Sequence, residues 1–128
     1  MDYYFAKTID GTFDETIERV TEVLKGKGFG VLTEIDVKAT LKNKLDVDFQ
    51  PYTILGACNP PFAYKALQTE NKIGAMLPCN VVVQDVGNGR VEVAAVDPAA
   101  SMQAVKNPAL ESIAGEVRTM LQAVIDEL

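Results

Sequence analysis

The chain has 128 residues with 12 basic and 18 acidic side chains, giving a formal charge of −6, and it contains no histidine, no tryptophan and two cysteines. At this length a single domain over residues 1–128 is expected, burying roughly two thirds of the surface of the unfolded chain without staples. The counts exclude histidine-based acid–base catalysis and histidine triads, a tetrahedral zinc site made from two thiols alone, and a phosphate-driven hold on nucleic acid.

With 48% hydrophobic and 23% charged residues, the composition is that of a folded globular protein rather than a disordered one. No apolar run approaches the roughly 20 residues of a membrane span, and the Met1 to Tyr4 start lacks a basic, apolar leader. No membrane partner and a cytoplasmic location are therefore expected, with both cysteines as reduced thiols.

Tyr3 to Ile9 alternates, placing Tyr3, Phe5, Lys7 and Ile9 on one side of an extended chain and Tyr4, Ala6 and Thr8 on the other. A strand is predicted there. Gly11 turns the chain, and Thr12 with Glu15 forms a capping box that starts a helix. Phe13, Ile17, Val20 and Leu24 make its apolar stripe, and Gly28 after Lys25 and Lys27 stops it. Gly30 to Asp36 reads as a second strand, and Asp36 caps a short helix over Val37 to Leu45 that turns Val37, Leu41 and Leu45 inward.

After a loop ended by Pro51, Thr53 to Cys58 is a nearly uncharged strand suited to the interior of a sheet. Asn59 as cap and Pro60 at the first helical position start the next helix, carrying Phe62, Ala63, Ala66 and Leu67. Cys79 to Val86 and Arg90 to Val96 form a hairpin around Gly87, Asn88 and Gly89, which tolerate positive φ. Asp97 and Pro98 end the hairpin, and a loop leads to Asn107 and Pro108, which open a long helix carrying Leu110, Ile113, Val117, Leu121, Val124 and Leu128. These elements do not alternate regularly enough for a doubly wound fold. They predict a two-layer α+β domain, a mostly antiparallel sheet with two long helices packed on one face.

Cys58 ends a strand one residue before a helix cap, where backbone N–H groups and the helix dipole stabilise a thiolate. It also fits the role of a small buried hydrophobe. Cys79 stands at another strand boundary, and each cysteine is followed by asparagine, Asn59 and Asn80. As neighbours across a sheet the two thiols could bridge reversibly, bind a soft ion such as Cu(I), or share a ligand; as unrelated core residues they would do none of these. Their spacing matches no compact metal or redox motif. Glu34, Asp36 and Asp97 could each act as a base or remain solvated edge charges, and Lys25, Lys27, Lys38, Lys42 and Lys44 form a basic patch that reads equally as a solvated helix face. Tyr3, Tyr4, Tyr52 and Tyr64 suit a pocket, a subunit contact or half-buried structural positions.

Y-T-I-L-G-A-C-N-P-P at Tyr52 to Pro61 resembles the uncharacterised family catalogued as domain of unknown function 302. The resemblance extends through G-F-G-V-L-T-E-I-D-V-K-A-T-L-K at Gly28 to Lys42, L-P-C-N-V-V-V at Leu77 to Val83 and A-V-D-P at Ala95 to Pro98. It implies a compact α+β domain that forms homodimers and has no established activity. The family's characteristic positions fall on Glu34, Lys38, Gly56, Ala57, Cys58, Asn59, Pro60, Pro78, Cys79, Asn80, Asp97 and Pro98. Asp46 replaces a glycine expected in relatives, a change that a left-handed turn tolerates.

The expectation is a cytosolic homodimer that binds a small ligand or soft metal ion beside Cys58, Asn59, Cys79 and Asn80, with Glu34 and Lys38 also at the site and thiol redox chemistry as an option. No cofactor and no resident metal are specified. The alternative is a structural or protein-interaction module with both cysteines in the core. A third reading is an enzyme with Cys58 as nucleophile, Glu34 or Lys38 replacing histidine as base.

Overall fold

The computed structural model describes residues 2–128. Strand β1 covers Tyr4–Asp10 and helix α1 Phe13–Gly26. The capping box holds, with the Glu15 amide donating to Thr12 Oγ1 at 3.2 Å. Val20 and Leu24 are fully buried, and Phe13 and Ile17 pack beside them. Gly28 closes the helix with φ +86°, a conformation L side chains avoid, and lets the Phe29 amide return to the Leu24 carbonyl at 2.9 Å.

Strand β2 (Gly30–Asp36) and helix α2 (Val37–Leu45) follow, with Asp36 Oδ1 accepting from the Ala39 amide at 2.9 Å. The inward stripe expected of α2 is only partly realised: Val37 and Leu41 are half-buried, no residue of this helix is fully buried, and Leu45 is 65% exposed. Asp46 ends the helix in the left-handed region at φ 53° and pairs with Lys42 at 2.9 Å.

Strand β3 is Tyr52–Cys58 and helix α3 is Pro60–Thr69; a short 3₁₀ turn at Ile73–Met76 precedes strand β4 (Cys79–Gly87). The hairpin to β5 (Arg90–Val96) turns through Gly87, Asn88 and Gly89, all at positive φ. Instead of the expected loop after Asp97, a short helix α4 (Pro98–Ser101) begins there, with Asp97 Oδ1 accepting from the Ala99 amide at 3.0 Å. Helix α5 (Pro108–Glu127) completes the chain, capped by Asn107.

The five strands are antiparallel throughout, in the order β1-β5-β4-β3-β2. One face carries Leu55, Ala57, Val81, Val83, Val91, Val93 and Ala95, all buried under α1 and α5. Burying each of the larger ones contributes about 1.5–3 kcal/mol. Helix α3 packs on α5 and extends this layer to the β3 and β4 ends, so the two long helices share the face with a shorter third. Lys7 emerges on the same side and donates to the Leu128 carbonyl at 2.8 Å and the Asp126 carbonyl at 3.3 Å, where a cation complements the end of α5.

Helices α1, α3 and α5 all lie on that side and leave the opposite face uncovered. Its central row crosses every strand as Ala6, Ala94, Val82, Ile54 and Ile35, each paired with the next. The row is apolar from edge to edge.

A candidate apolar ligand cavity

Gly56 sets the local geometry of the β3 end. A Cβ there would run into the Thr33 hydroxyl and stand 2.8 Å from Pro78 Cγ, so the β2 and β4 neighbours close in on bare backbone. One residue on, Ala57 faces Cys79 across the β3–β4 ladder. Cys58 therefore sits one residue out of register with Cys79, roughly 6 Å away between Cα atoms by ladder dimensions. Both thiols are free. Burial pushes the Cys79 thiol up to about 11, and repulsion from a Cys58 thiolate adds to the effect. At neutral pH Cys79 is a protonated, apolar-like group.

Beyond these residues the chain enters α3 through Asn59, Pro60 and Pro61. Two prolines in the first turn remove two of the backbone donors that a helix start normally offers to an anion or thiolate. Asn59 itself makes no capping bond through its side chain, unlike Thr12, Asp36, Asp97 and Asn107 at the other α-helix starts. The side chain is only 8% exposed, and its amide nitrogen lies 3.2 Å from the point where a Cβ on Gly28 would stand.

A cavity of about 280 Å³ opens between α3, the α4 region, α5 and these strand ends. Its walls are built from small side chains: Ala57 from β3, Ala63 and Ala66 from α3, and Ala114 from α5. Phe62, Ile113 and Val117 enclose it further, Met102 and both cysteines add sulfur, and the exposed Leu32 and Leu67 lie at its rim. The volume is close to the lower bound of about 300 Å³ for small-molecule sites. Among the described residues Asn59 is the only one lining the cavity with a side-chain nitrogen or oxygen, and none that lines it is charged.

Three of the six residues expected at the site meet here, Cys58, Asn59 and Cys79. Asn80 does not, because strand alternation carries it to the open face, where it is exposed. Glu34 and Lys38 are solvent-exposed and line no part of the cavity. The sequence reading does not single out the alanines of α3 and α5 or the rim leucines as site residues; Ala63 and Ala66 share one turn of α3, but nothing in the sequence links them to Ala114.

A second concavity of about 420 Å³ lies on the open face, bordered by Tyr3, Tyr4 and Tyr52 and floored by Asn80, Gln84 and Glu92. Gln84 accepts from Gln50 at 3.2 Å and donates to Glu92 at 3.0 Å, a polar ladder beside the apolar row. Tyr64 is exposed on α3 and takes part in neither concavity. Buried Asp97, with its second oxygen 3.1 Å from Arg118 Nε, ties β5 to α5, and the Arg118 guanidinium lies over the Phe5 ring at 5.1 Å. Among the described residues no group of three or more Cys, Asp or Glu gathers to hold a metal ion, and no helix is long and apolar enough to cross a membrane.

Residues 5–128 match the model of "Domain of unknown function DUF302". The crystal structure of an uncharacterized conserved protein DUF302 from Bacillus stearothermophilus superimposes with a TM-score of 0.90 at 34% identity, over 98% of each chain. No curated protein matches the chain.

Proposed function

The chain belongs to the DUF302 family, and we propose that it is a small-molecule-binding domain, acting as a cytosolic homodimer, with its ligand in the alanine-walled cavity beside Cys58 and Cys79. The observation that carries this reading is the cavity itself, in which helices α3 and α5 face each other with alanines where a filled core would place larger side chains. A soft monovalent ion between the two sulfurs is a narrower form of the same idea. It requires Cys79 to lose a proton that burial holds tightly, so the small molecule is the better supported occupant. For the same reason the thiols serve as polarisable wall rather than as a redox pair.

The experiment is a thermal-shift and calorimetric titration with naphthalene, an uncharged probe without hydrogen-bonding groups. The wild-type protein should bind it and gain thermal stability, while Ala63→Leu, which fills the space from α3, should not. No shift in the wild-type protein contradicts the proposal.

The homodimer draws support from the open sheet face. Seven residues of five strands give a projected area of roughly 550 Å² per copy, approaching the ~800 Å² per partner of a standard interface. Its apolar row from Ala6 to Ile35 suits face-to-face packing of two sheets. The alternative of a protein-interaction module with both thiols in the core would use this same face, and buried Cys79 accords with it.

A further inference from the structure

The chemistry of the cavity wall restricts what can occupy it. Among the described residues seventeen line the space, and none of these carries a charge. A carboxylate, phosphate or ammonium entering it would give up its hydration with no counter-charge to replace it. Apart from the weakly hydrogen-bonding thiols of Cys58 and Cys79, the wall offers one neutral hydrogen-bonding side chain. Asn59 is 8% exposed, its side chain makes no hydrogen bond to any described residue, and no other lining residue has a side-chain nitrogen or oxygen. Among the described residues no fully inaccessible side-chain polar atom lacks a partner, so this unpaired amide keeps an opening, and it borders the cavity.

An amide presents a donor and an acceptor side by side. The ligand group that satisfies both is itself neutral and two-sided, a carboxamide or a similar head that both gives and takes a hydrogen bond. The rest of the ligand meets Ala, Phe, Ile, Val, Met and thiol surface.

Resting on the reading of this cavity as a ligand site, we infer that it selects an uncharged amphiphile: an apolar body with a single neutral hydrogen-bonding head held by Asn59. Gly28 leaves room for that amide, since a Cβ at this turn would stand 3.2 Å from its nitrogen.

The test compares octanamide with octanoate, which share a chain and differ in charge, and uses naphthalene as the headless control, by isothermal titration at pH 7.5. Octanamide should bind at least about tenfold more tightly than octanoate. Asn59→Leu, close in volume and unable to hydrogen-bond, should weaken octanamide about fivefold or more relative to its effect on naphthalene. If naphthalene binds but octanoate equals or exceeds octanamide, the charge selectivity is wrong and the cavity remains a ligand site. If the amide is preferred equally by the wild-type protein and Asn59→Leu, Asn59 does not hold the head and the inference fails. If none of the three binds, the cavity reading fails and the inference falls with it.

Discussion

Cys79 stands opposite Ala57 in the β3–β4 ladder, and Cys58, the next residue along, is displaced from it by one step of register. The two thiols are neighbours without being a facing pair. Their environments also differ, Cys79 being buried and Cys58 half-buried at the cavity edge. At pH 8, iodoacetamide should modify Cys58 in the folded protein and reach Cys79 only on unfolding. Mass spectrometry of peptides from native and urea-treated samples reads this directly, and equal labelling of both in the native protein contradicts the burial argument.

The raised Cys79 pKa makes stability depend on alkaline pH. Above about pH 9 the unfolded chain releases this proton, while the folded protein holds it until about 11. The unfolded state then binds fewer protons, so stability falls as pH rises through this window. A two-unit shift corresponds to roughly 3 kcal/mol when fully expressed. Urea midpoints at pH 8 and pH 11 for the wild-type protein and Cys79→Ala isolate it, because lysine and tyrosine titrations are common to both. The stability advantage of the wild-type protein should shrink by most of that amount.

Gly56 has no room for a methyl group between the Thr33 hydroxyl and Pro78 Cγ. Gly56→Ala should cost about 1–3 kcal/mol by overpacking, and Thr33→Ala in the same chain should recover part of the loss. Urea unfolding of the single and double variants measures the coupling. Additive effects would show that the two residues do not press on one another.

Asp97 is buried and Arg118 is half-exposed, so the two ends of their ion pair are not equivalent. Arg118→Ala leaves a carboxylate in the core and should cost about 3 kcal/mol or more. Asp97→Asn removes the charge while keeping an oxygen for the Ala99 amide, and should cost about 1 kcal/mol. Chemical denaturation decides the order, and a larger loss for Asp97→Asn contradicts it.

The open sheet face gives a prediction about assembly. Val82 sits at the middle of the apolar row between Ala94 and Ile54. Val82→Lys should convert a sedimenting dimer into a folded monomer, its circular dichroism unchanged. A wild-type protein that sediments as a monomer at micromolar concentration contradicts the homodimer.

Much of this architecture was legible in the residues, for reasons that differ by element. The limits of β2, α2 and β5 agree with the sequence reading because glycine, aspartate and proline punctuate them. Helix α4 was not legible, since Asp97 and Pro98 mark a strand end as well as they mark a cap and first turn. Apolar spacing in α2 identifies the side that would be buried, but it carries no information on whether a layer exists to cover it. Asn80 was grouped with Cys79 by chain adjacency, and the two-residue period of a strand separates such neighbours onto opposite faces. The cavity was hidden more deeply: Ala63 and Ala114 are distant in sequence, and only packing α3 against α5 shows that two helices meet through small residues.

The central claim is that this cavity, rather than the open sheet face, is where a small molecule binds. An amide-resolved nuclear magnetic resonance titration of the ¹⁵N-labelled protein with octanamide tests it most directly. The account predicts saturable shifts concentrated at Cys58, Asn59, Phe62, Ala63 and Ala114 that disappear in Ala63→Leu. Shifts centred instead on Val82, Gln84 and Ala94, or no saturable shifts at all, would contradict it.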